Sequence, residues 1–193
     1  THGKTTTSSM LAWLLRHAGR DPGFMIGGIP KNLGCGAVFT ESEFTVLEGD
    51  EYDTAFFDKR SKFLHYLPEC VVVNNIEFDH ADIFASMAEY TLSFRRLVNL
   101  VPGNGFLVVN TADPLAREVA APCRARIIPV APGDAADFDV PLPGEHFRLD
   151  ALLAAAAVVT VGVVAIVNDL ARPRIESNER AQRVAQLAEV LGG

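Results

Sequence analysis

Thr1–His17 reads THGKTTTSSMLAWLLRH, and this stretch decides the fold. Gly3, Lys4 and Thr5 match the G-K-[ST] that ends a phosphate-binding loop. A glycine there lets the backbone wrap close to phosphate oxygens. The helix that follows aims free N–H groups and its positive dipole end at the anion. In that chemistry Lys4 reaches the β- and γ-phosphates, the Thr5 hydroxyl holds Mg²⁺, and Thr6 adds a hydroxyl and an N–H. The nucleotide-binding loop is accordingly Thr1, His2, Gly3, Lys4, Thr5 and Thr6. GKT alone is common by chance. The amphipathic run from Thr5 to His17, with Met10, Leu11, Leu14 and Leu15 on one side, makes the match more specific. The match starts inside the motif, as expected of a piece cut from a longer enzyme.

Downstream, short apolar runs alternate with longer helical ones. Phe44–Glu48 (FTVLE), Cys70–Asn74 (CVVVN), Gly105–Asn110 (GFLVVN) and Arg126–Val130 (RIIPV) read as buried strands. Asp82–Val101 and Pro114–Ala121 read as helices, and Pro132–Gly144 as a loop. The final stretch reads as helical. This order predicts an α/β fold: a P-loop-type, mostly parallel sheet flanked by helices.

Composition agrees with one ordinary soluble domain. The 193 residues are 49% apolar and 21% charged, with a net charge of -7. That charge excludes nucleic-acid binding through a broad basic face. Cys35, Cys70 and Cys123 have no metal-ligand spacing and read as reduced thiols of a cytoplasmic protein. Ala151–Val167 is uncharged and sits at the lower length limit for a membrane span. Gly162 interrupts it and no basic cluster flanks it, so a buried helix–turn–helix is expected rather than a membrane segment.

Glu48 closes a strand near the loop, where a Mg²⁺ ligand is needed. The neighbouring Asp50, Glu51 and Asp53 cannot all be ligands and read as surface or supporting groups. His80, flanked by Asp79 and Asp82, is open to two readings: a second metal ligand or a structural histidine. His17 and His65 read as structural or surface groups.

Taken together, THGKTTTSSML, MIGGIPKNLG (Met25–Gly34), EGDEYDTAFFDKRSKFLHYLP and VVVNNIEFDHADIF resemble the Mur ligases. The likeness is dense from Thr1 to about Pro102 and thinner to Glu176. It is strongest to the branch that joins L-alanyl-γ-D-glutamyl-meso-diaminopimelate to UDP-N-acetylmuramate in murein recycling. The L-alanine-adding branch is a second reading, and a nucleotide-binding or interaction module without catalysis a third. The resemblance implies ATP and Mg²⁺ as cofactors and an acyl-phosphate route to the amide. It implies Lys4 and His80 as catalytic, Thr5, Glu48 and His80 as metal ligands, and His146 and Arg174 as nucleotide contacts. UDP-N-acetylmuramate and the tripeptide would be held by flanking domains, so the piece alone is expected to fold but not to ligate.

Three departures accompany the likeness. Ala81–Leu100 contains no lysine, whereas several Mur ligases carry a carbamoylated one there; the muramate-accepting branches also lack it. The family's GEHNxxNALAA motif here has Phe147 and Asp150 in place of its asparagines. Phenylalanine can neither donate to nor accept from adenine. Finally, Ala171–Glu176 (ARPRIE) faintly matches the end of the central domain, placing its boundary at residues 1–176 and leaving 177–193 as a helical tail.

Overall fold

The computed structural model describes residues 1–78, 83–135, 140–163 and 165. The chain divides into two compact units, Thr1–Val158 and Val159–Gly193. His80, Arg174 and the 177–193 tail lie outside the described residues.

The first unit opens with α1 (Lys4–His17), then β1 (Gly23–Met25), β2 (Ala37–Val38) and β3 (Thr45–Leu47). A hairpin of β4 (Asp53–Ala55) and β5 (Asp58–Ser61) follows. Next come β6 (Cys70–Val73), α2 (Met87–Leu100), β7 (Phe106–Asn110), α3 (Pro114–Ala120) and β8 (Arg126–Val130). The last described helix, α4, runs Glu145–Val163.

The strands form separate ladders, one of which is the parallel sheet flanked by helices that the sequence predicts. One has the order β2-β1-β3, with β1 parallel to β3 and antiparallel to β2. Another, β6-β7-β8, is parallel throughout. Its residues alternate between two cores, as a period-2 strand buried on both faces must. Val71, Val73, Leu107 and Val109 face Tyr90, Phe94, Leu97 and Val98 of α2 and Val119 of α3. Cys70, Val72, Val108, Ile128 and Val130 face Leu153 and Ala157 of α4, with Leu11 of α1 beside them. A third cluster holds Ala12 and Leu15 of α1 against Phe24, Ile26 and Val46. Each fully buried aliphatic chain contributes roughly 1.5–3 kcal/mol to this assembly.

Helix starts follow local capping. The helix expected from Asp82 begins only at Met87, because Ser86 caps it: its hydroxyl accepts from the Glu89 N–H at 3.2 Å. Asp113 caps α3 in the same way at 2.7 Å, with Pro114 at its first position.

One expectation needs correcting. Gly162 does not split the apolar run; it lies inside α4. A single glycine costs about 1 kcal/mol of helix propensity, which the alanine- and leucine-rich run before it outweighs in a helix of 19 residues. The helix is long and apolar enough to cross a membrane by length and composition. Leu153, Ala154 and Ala157 are at most 1% exposed, so this face of the helix packs into the core, while Val159 and Val163 are exposed.

Candidate phosphate and metal site

Gly3 adopts φ 78°, ψ 5° as the N-cap of α1, and no side chain caps the helix. A glycine supplies this left-handed conformation without strain. The uncapped first turn leaves backbone N–H groups for an external acceptor, the arrangement that suits a phosphate. A methyl group on Gly3 would come within 2.6 Å of Asp150 Oδ1 and 3.1 Å of Asn74 Nδ2. Close approach as well as backbone angle therefore requires glycine.

The residues before the helix are tied to the end of β6. The Thr1 amine donates to the Asn75 carbonyl at 2.7 Å, and the His2 N–H donates to Asn75 Oδ1 at 2.7 Å. The His2 ring lies 3.2 Å from Glu77 Oε2 at the surface. Asn74 and Asn75 stand at the carboxyl end of a parallel strand, where ligands of open α/β sheets bind.

Lys4 Nζ lies 2.8 Å from Glu51 Oε2 and donates to the Thr1 carbonyl at 2.8 Å. Glu51 is 1% exposed, and its other oxygen lies 3.5 Å from the Tyr90 hydroxyl. The sequence reading left Glu51 among surface or supporting groups; it is the buried counter-ion of the loop lysine. Nothing in GDEYD distinguishes it from Asp50, which pairs with Lys62 at 2.6 Å, or Asp53, which pairs with Lys59 at 2.7 Å. The Lys62 ammonium holds the Asp50 carboxyl below its usual range against the opposing effect of burial.

Glu48 lies beside the start of α1. The Thr5 hydroxyl donates to Glu48 Oε1 at 2.9 Å, and the Gly27 N–H donates to Oε2 at 2.8 Å. A hydroxyl and a carboxylate together form a hard oxygen donor pair of the kind Mg²⁺ takes, with water and phosphate completing its shell. The donor set therefore fits the metal. Gly28 packs close as well: a methyl group there would meet Thr5 Cγ2 at 3.4 Å. Sequence reasoning did not connect the Gly27–Gly28 loop with Glu48, because backbone N–H anchors leave no side-chain signature. Thr6 sits half-buried in the first turn of α1. No cluster of three or more His, Cys, Asp or Glu side chains suited to a metal occurs among the described residues.

His146 and Asp150 lie one turn apart on α4. His146 is exposed, and its ring lies tilted against that of Phe147 at 4.2 Å between centroids. Asp150 is 2% exposed and accepts from Asn74 Nδ2 at 2.8 Å. Burial pushes its carboxyl up to about 6. Its side chain faces the loop backbone at Gly3. His65, as expected, has a structural part: it lies 3.1 Å from Asp58, whose carboxyl Arg60 holds well below the usual range.

A glycine-started helix, a lysine, and a hydroxyl–carboxylate pair thus meet at the carboxyl ends of strands in an α/β domain. A family model for the Mur ligase middle domain matches residues 1–130. The chain belongs to that family. A second model, for the RnfG N-terminal region, matches residues 151–190.

The UDP-N-acetylmuramate--L-alanyl-gamma-D-glutamyl-meso-2,6-diaminoheptandioate ligase of Escherichia coli (strain K12) is 54% identical over 108 residues. That match covers 56% of this chain and 24% of the relative. The UDP-N-acetylmuramate--L-alanine ligase of Nocardioides sp. is 39% identical over 198 residues, covering 100% of this chain and 42% of the relative. Among solved structures, the UDP-N-acetylmuramate:L-alanyl-gamma-D-glutamyl-meso-diaminopimelate ligase from Neisseria meningitides superimposes with a TM-score of 0.76 at 41% identity. It covers 84% of this chain and 60% of that one. The chain thus spans about a quarter of the length of the Escherichia coli relative it matches.

Proposed function

We propose that this chain is the ATP- and Mg²⁺-binding part of an amide ligase that joins L-alanyl-γ-D-glutamyl-meso-diaminopimelate to UDP-N-acetylmuramate in the cytoplasm. The observation that carries the proposal is the uncapped α1 start with Lys4, Thr5 and Glu48 gathered around it. The 54% identity to the tripeptide ligase, against 39% to the L-alanine ligase, favours the tripeptide branch.

In this reading the loop N–H groups and Lys4 hold the phosphates of ATP, and Lys4 exchanges Glu51 for phosphate on binding. Thr5 and Glu48 hold Mg²⁺, with His80 as a further ligand. The metal supplies neutralisation of phosphate charge. His146 and Arg174 contact the nucleotide. Lys4 would orient the terminal phosphate toward the muramate carboxylate, which takes the γ-phosphoryl group as ADP leaves; the peptide amine then attacks the acyl carbon, loses a proton and displaces inorganic phosphate to form the amide. The protein's work is positioning and charge stabilisation. The acceptor sugar and the incoming amine are held outside these 193 residues, and residues 1–176 form the central domain with 177–193 as a tail.

The test is calorimetric binding of MgATP, paired with a ligation assay. MgATP binding that needs Mg²⁺, without amide formation by this chain alone, supports the reading. Absence of nucleotide binding refutes it. In a version spanning the relatives' full length, preference for L-alanine over tripeptide would move the protein to the L-alanine branch.

A further inference from the structure

Beneath the phosphate loop lies a carboxylate that phosphate binding does not require. Asp150 is 2% exposed, and its Oδ1 accepts from Asn74 Nδ2 at 2.8 Å. Asn74 Oδ1 in turn accepts from Asn110 Nδ2 at 3.3 Å. The Thr7 hydroxyl of α1 faces the same carboxylate. Both carboxylate oxygens, at 2.6 and 2.9 Å, crowd the position a side chain on Gly3 would take. One side chain thus touches the loop glycine, the first turns of α1 and the end of β6, with β7 joined through Asn74.

Among the described residues, the titratable neighbour acting on Asp150 is His146, on its own helix; α1 and β6 face it with hydroxyl and amide groups. A carboxylate accepts hydrogen bonds but cannot donate one, and its charge has the same sign as a phosphate's. We propose that Asp150 is a positioning residue of the phosphate loop: it clamps Gly3 between α4 and the end of β6, and its negative charge opposes the anion held on the other side. Asparagine, the family's residue at this position, keeps the shape and removes the charge. The clamp stands on the contacts alone; its effect on phosphate rests on the nucleotide reading above.

The test uses the 193-residue chain, its Asp150→Asn and Asn74→Ala variants, and two readouts. Without ligand, backbone amide NMR shifts of residues 3–7 are followed against pH. The natural chain is expected to show a transition near pH 6 at these amides, Asp150→Asn none, and Asn74→Ala a transition moved upward through loss of a donor. With ligand, MgADP affinity is measured by calorimetry at pH 7.5 and pH 5. Asp150→Asn is expected to bind about tenfold tighter at the higher pH, with the difference closing at the lower. Loop amides that do not titrate, or that titrate equally in Asp150→Asn, overturn the clamp. Equal MgADP affinity of the two chains at pH 7.5 overturns the opposing charge. Titrating amides with no MgADP binding by any of these chains would uphold the clamp and overturn the nucleotide reading instead.

Discussion

Lys4 and Glu51 should be coupled more strongly than any surface ion pair of this protein. Their atoms lie 2.8 Å apart, with Glu51 at 1% and Lys4 at 29% side-chain exposure. Removing one partner of a fully buried pair costs about 3–5 kcal/mol, because the other charge is stranded. Lys4 is part-exposed and can turn toward water, which lowers the expected coupling to about 2 kcal/mol. Single changes at Glu51 also disturb Tyr90 and Thr1, 3.5 and 3.8 Å away, so their raw destabilisation overstates the pair. A double-mutant cycle of Lys4→Met and Glu51→Gln cancels those other losses. Urea unfolding of the four proteins gives the coupling directly. A value near 2 kcal/mol in the free protein, falling when MgADP is saturating, is the expected result. Coupling below about 0.5 kcal/mol, the level of an ordinary surface pair, would refute the argument that Glu51 holds the loop lysine.

Other changes follow from the same geometry. Thr5→Ala and Glu48→Gln should each weaken nucleotide binding about tenfold or more in Mg²⁺ while leaving metal-free binding unchanged, as calorimetry with and without chelator will tell. Asp150 has a folded value of about 6, above the unfolded carboxylate's, so its contribution to stability is present below about pH 4 and lost as pH rises through 6. Denaturation of the natural chain and Asp150→Asn across that range should therefore diverge by about 2–3 kcal/mol, the variant being the more stable at neutral pH. Gly105→Ala would drive a methyl group against the Glu69 carbonyl and to 2.9 Å from Val101 Cγ1, and a loss of about 1–3 kcal/mol by chemical denaturation is expected. Arg95→Ala breaks only an exposed pair with Glu118 and should change stability by less than about 1 kcal/mol in the same assay.

The strands with sustained apolar runs were legible: β3, β6, β7 and β8 fall within the segments read from FTVLE, CVVVN, GFLVVN and RIIPV. The short ones were not. Gly23–Met25 and Ala37–Val38 offer too few residues for a period to show. The β4–β5 hairpin turns at Phe56 and Phe57, which are 93% and 92% exposed, where glycine or asparagine would have marked a turn. The proximity of the loop motif and Glu48 was legible because the chemistry proposed for them dictates residue type. Glu51, Asn74 and Tyr90 were not, since their roles come from burial and from elements distant in sequence. Asp150 was visible as a departure from the family motif, yet its meaning needed Gly3 and Asn74 beside it. The readings of His80 and Arg174 fall on residues outside those described.

The central claim is that the start of α1 cradles the phosphates of a magnesium nucleotide. Calorimetry of ATP with the chain and with Lys4→Ala, each with and without Mg²⁺, tests it most directly. The account predicts Mg²⁺-dependent binding by the natural chain that Lys4→Ala abolishes or weakens by at least about tenfold. Equal binding by both proteins, or no binding by the natural chain in Mg²⁺, would contradict it.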